Sequence, residues 1–160
     1  MTEGSRRGVT RGYVGSLILA AVIVAVALLV ATWGLLSLGM DRDPVSSDGV
    51  VSWAAPLVLC FALAALALTL WQQAIALLRG QKTPVWGYFV AVSVGAYLLW
   101  SLGGNLAGMS IDDTWVSPFA AALVPIWGLT CLLFWAVLAR RLYTDRPTPK
   151  WPWERTEEED

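Results

Sequence analysis

The sequence predicts an all-α integral membrane protein, a four-transmembrane-helix antiparallel bundle with its N- and C-termini both in the cytoplasm. Three observations predict it. The 160 residues are 57% hydrophobic and only 14% charged, against roughly half and one quarter in ordinary soluble domains. Four long stretches carry no charge, and basic residues collect on alternate connectors. Crossing a hydrocarbon layer about 30 Å thick four times uses most of the chain, so no separate soluble domain is expected.

Residues 1–12 form a basic cytoplasmic tail containing Arg6, Arg7 and Arg11. The bundle follows over 13–139. Its first span, 14–38, lies within an uncharged run from Tyr13 to Met40. That run exceeds the roughly 7–15 apolar residues of a secretory signal and has no small-residue cleavage site after it, so it reads as a retained helix. The second span, 50–78, is long enough to need tilt or a projecting end, and Pro56 is tolerable near its start. The third span is 86–106. The fourth, 116–139, contains Pro125, which deletes an internal hydrogen bond and is expected to kink the helix.

Direction follows from the charges beside short connectors, because Lys and Arg are retained on the cytoplasmic side. Arg6, Arg7 and Arg11 precede the first span, Arg79 and Lys82 separate the second and third, and Arg140, Arg141, Arg146, Lys150 and Arg155 follow the fourth. The other two connectors hold Arg42 against Asp41, Asp43, Asp48, Asp112 and Asp113. Nine arginines against two lysines suit a GC-rich bacterial genome, which makes a bacterial plasma membrane the expected location. Trp33, Trp53, Trp86, Trp115 and Trp135 lie toward span ends as an interfacial belt. Trp71, Trp100 and Trp127 lie deeper, where each indole N–H needs a partner.

Composition narrows the chemistry. There is no histidine, which removes the commonest metal ligand and neutral-pH general base. Cys60 and Cys131 sit in apolar runs and read as packing residues. The spans hold no ionisable group of the kind that marks ion- or proton-coupled transport. No catalytic, cofactor-binding or metal-binding residue is assigned, no cofactor is expected, and nucleic acid is not an expected partner. Asp112 and Asp113 raise a cation or acid–base site only if they converge with other acidic loop residues.

The candidate polar intramembrane face comprises Thr69, Gln72 and Gln73 on the second span and Ser101 and Asn105 on the third. It reads as interhelical hydrogen bonding or, in a transporter, as a wet vestibule lined by Gln72, Gln73 and Ser101. Gly104 and Gly108, with Ala91 and Gly95, have the small-xxx-small spacing that lets helices approach closely; the former pair also suits a helix end.

The final segment, 140–160, differs from everything before it. Its Arg140, Arg141 and Tyr143 anchor the fourth span. The prolines of RPTPKWPW favour an extended path, and Trp151, Pro152 and Trp153 suit either the membrane surface or a pocket on a partner. The acidic end reads as solvated. The expected function is a non-enzymatic accessory, assembly or interaction subunit, whose partners are the lipid bilayer and a membrane protein or a second copy. The alternatives are a small oligomeric transporter or channel, and a membrane enzyme or sensor with an acidic outer-loop site.

Overall fold

A computed structural model describes residues 11–47, 49–79 and 86–143. They form four helices: α1 (Arg11–Met40), α2 (Ala54–Leu78), α3 (Trp86–Leu106) and α4 (Pro118–Tyr143). Each is long and apolar enough to cross a membrane.

Local chemistry sets the helix ends. Asp41 closes α1 with a φ of 49°, a left-handed conformation that Asp tolerates better than most residues, and the Arg42 N–H returns to the Ser37 carbonyl. The second helix begins at Ala54, so 50–53 precede it as irregular chain. Pro56 then falls in its first turn, where a missing N–H costs nothing. At the end of α3, Gly108 takes a φ of 85°. Its N–H reaches Asn105 O and that of Met109 reaches Gly104 O, the paired bonds of a Schellman stop. Ser117 caps α4, accepting the Phe119 N–H on its hydroxyl, and Pro118 occupies the first helical position, where its fixed φ is favourable. The helix continues through Pro125 to Tyr143.

Each helix packs against its chain neighbours, α1 closes the ring against α4, and α2 meets α4 across the diagonal. The axis is filled by Leu66, Leu70, Trp100, Leu123, Trp127, Cys131 and Leu138, all fully buried. Two glycines set the closest approaches. A methyl at Gly103 would stand 2.9 Å from Val58 of α2, and one at Gly128 would stand 3.0 Å from the Ser93 hydroxyl of α3. Large apolar side chains also point outward along every helix, among them Leu19, Ile23 and Val30 on α1 and Val90 on α3, as expected of helices long and apolar enough to cross a membrane.

Candidate functional site

The principal polar constellation lies where the α1–α2 and α3–α4 connectors meet, around Asp113. Although it belongs to a loop, its side chain is only 1% exposed. One carboxylate oxygen accepts from Arg42 Nη2 at 2.8 Å and from the Ser46 hydroxyl at 2.8 Å; the other accepts from the Ser46 N–H at 3.0 Å and from the Ser47 hydroxyl. Arg42 also donates to the Asp112 carbonyl, and the Ser47 hydroxyl accepts the Ser110 N–H. Burial alone raises the Asp113 pKa. The hydroxyls of Ser47 and Ser46, the Arg42 guanidinium and the Ser46 N–H outweigh it, and hold the carboxyl well below the usual carboxylate range.

Aromatic donors bind the same connector and the first turn of α4. Trp100 Nε1 donates to the Asp113 carbonyl at 3.1 Å, Tyr97 Oη to the Trp115 carbonyl at 2.7 Å, and Trp33 Nε1 to the Phe119 carbonyl at 3.0 Å. Trp33 also meets Trp100 and Phe119 edge to face, with centroids 5.0 and 6.0 Å apart. Of the three deep tryptophans, Trp127 donates to Ala62 O on α2 and Trp100 to the connector. Trp71 is partly exposed.

The acidic pair does not converge. Asp113 turns inward to Arg42 and the serines, while Asp112 is exposed. Among the described residues, no group of three or more Asp, Glu, Cys or His side chains could hold a metal ion.

The polar intramembrane residues are also dispersed. Thr69 donates back to Ala65 O at 2.8 Å, a helix-internal bond. Gln73 is 2% exposed and neither amide atom has a partner among the described residues, whereas Gln72 points outward. Ser101 is fully buried with its hydroxyl unpaired, and Asn105 is exposed. A cavity of about 190 Å³ between α2 and α3 is lined by Ala62, Ala65, Thr69, Ala91 and Gly95, with Tyr88 at its side. Thr69 is the one member of the polar face that lines it.

The glycine spacing needs a correction. Gly108 lies beyond α3 in left-handed backbone, so Gly104 and Gly108 do not form one helix face. Gly104 instead receives the connector: a methyl there would stand 2.7 Å from Thr114 Cγ2 and 2.9 Å from Met109 Sδ. Ala91 and Gly95 line the α2–α3 cavity, and nothing lies within 4 Å of a methyl built at Gly95. Trp151, Pro152 and Trp153 lie outside the described residues.

Sequence reading missed the Arg42–Asp113 centre and the packing glycines Gly103 and Gly128. One signal for the centre was available, since Arg42 is the lone cation in two otherwise acidic connectors. The serines gave none, because serine is ordinary in any loop.

No curated protein and no solved structure matches the chain. A family model described as "Family of unknown function (DUF6121)" matches residues 8–160. With nearly its whole length matched, the chain belongs to the DUF6121 family.

Proposed function

We propose that the protein is a non-enzymatic accessory or interaction subunit of a bacterial plasma membrane, with both termini cytoplasmic, engaging another membrane protein or a second copy. The observation that carries this reading is how the polar groups are used. The buried connector charge, Asp113, is consumed in an internal tie to Arg42, while Trp100, Trp127, Leu66 and Leu70 fill the axis. Surface therefore remains for recognition on the outward faces of the helices.

Direction is supported by charge. Arg141 stands 5.5 Å over the Tyr13 ring, so the first and last helices bring their basic ends together, and the acidic connectors gather at the other end. Positive charge is retained on the cytoplasmic side of membranes.

The test is a mild-detergent pull-down at native expression level, comparing the full chain with one ending at Tyr143. A membrane-protein partner recovered with the full chain and lost on truncation supports the reading and assigns recognition to the tail. A monomer without partners in either form overturns it.

A further inference from the structure

We infer that the α3–α4 connector is a lipid-contacting foot, seated in the headgroup layer at the connector end of the bundle and not projecting into water. This rests on the reading that the four helices cross a bilayer, and deepens it by naming a surface and its partner, the phospholipid boundary.

The path of the chain is the first argument. After Leu106 the connector doubles back along the helix it has just left. Met109 and Thr114 lie against Gly104, the Asp113 carbonyl meets Trp100, and the Trp115 carbonyl meets Tyr97, each partner deeper along α3 than the last. The 21 residues from Trp86 to Leu106 rise about 30 Å, the thickness of the hydrocarbon layer. A connector folded back from Leu106 therefore reaches no farther out than the headgroups over much of its length.

The second argument concerns backbone polarity. A loop in water can leave its carbonyls to the solvent, whereas internal bonding lowers the cost of lying against hydrocarbon, which offers no hydrogen-bond partner. Here the carbonyls of Ser110, Ile111, Asp112, Asp113, Trp115 and Ser117 all accept hydrogen bonds from the protein. The Asp113 carboxylate is likewise enclosed.

The outward side chains complete the case. Leu106 is 91% exposed, Val116 71%, Ile111 63% and Trp115 37%, and Leu106 follows the exposed Leu102 by one helical turn on α3. Such a patch is unusual on a water-facing loop and ordinary where aromatic and aliphatic groups meet headgroups. Asp112 and Ser110 are exposed beside it, as the polar side of an interfacial segment requires.

The test uses the full chain in phosphatidylcholine–phosphatidylglycerol vesicles. Cys60→Ala removes the exposed thiol, and the buried Cys131 is retained. Nitroxides are attached through Ile111→Cys or Val116→Cys, with Val24→Cys on α1 as the lipid reference and Asp43→Cys on the other connector as the water reference. The log ratio of collisions with oxygen to those with a water-soluble nickel chelate at 111 and 116 should lie between the two references, above the value at 43 and below that at 24. Values equal to the Asp43 reference would overturn the inference. Shielding from both relaxants, with the Val24 reference still in lipid, would also overturn it and indicate a protein covering. A nickel-favoured Val24 reference would instead overturn the membrane reading itself.

Discussion

The two ends of the bundle handle polar groups differently. At the connector end, a charged side chain draws together two loops separated by 66 to 71 residues in sequence, and two aromatic donors, Trp100 and Tyr97, hold the backbone that carries it. At the terminal end, Gln73 is buried with both amide atoms unpaired among the described residues, and the tie shown between α1 and α4 is the contact of Arg141 with Tyr13. Burial alone does not distinguish them, because Asp113 and Gln73 are equally hidden. Partners do: a buried polar group stabilises when its bonds are made and costs stability when they are not. The connector end is accordingly the end at which the buried polar group is satisfied.

The sharpest way to break this contrast is Asp113→Ala, which leaves Arg42, Ser46 and Ser47 without their common acceptor. The expected loss is about 2–3 kcal/mol, discounted from a fully buried pair because Arg42 is partly exposed, and it should appear as a lower unfolding midpoint in detergent. The pH dependence has a definite sign. The folded pKa of Asp113 is depressed from its ordinary 3.8, so its stabilisation is present above that value and declines as pH falls toward the folded pKa. Asp113→Asn should flatten this acid limb, and an unchanged limb would show that Asp113 does not govern it.

Next in size, Gly104→Ala forces a methyl against Thr114 and Met109 and should cost about 1–3 kcal/mol. Gly95→Ala, with open space around it, should change the same unfolding midpoint little. Equal effects would mean that Gly104 matters as a helix residue and not as the seat of the connector. Gly108→Ala isolates the left-handed stop and should cost about 1 kcal/mol.

At the terminal end the sign reverses. Gln73→Leu replaces an unpaired buried amide with an apolar side chain of similar size, so stability should hold or rise by up to about 1 kcal/mol. A marked fall would reveal a partner for Gln73 and dissolve the difference between the ends. Smallest of all, Arg141→Ala removes an exposed cation–π contact and should lower the midpoint by about 0.5 kcal/mol.

These contrasts also separate what was legible in the chain from what was not. Uncharged runs exposed the four helices, since a bilayer-crossing segment must be apolar over a known length. Their ends were less legible: 50–53 read as span because they are apolar, yet the helix begins at Ala54, where Pro56 fits the first turn. Gly108 read equally as packing or termination, because spacing alone cannot reveal a φ of 85°. Thr69, Gln72 and Gln73 shared a broad face by periodicity, but packing against the neighbouring helices leaves Gln73 inward and Gln72 outward.

What the sequence determined by itself is the number of helices long and apolar enough to cross a membrane, because that follows from local hydropathy and length. Tertiary structure decided which of two adjacent aspartates is enclosed, which glycines bring helices together, and that the chain after α3 turns back along it. Those outcomes depend on contacts such as Arg42 with Asp113 and Tyr97 with Trp115, between residues whose local sequence carries no record of the other.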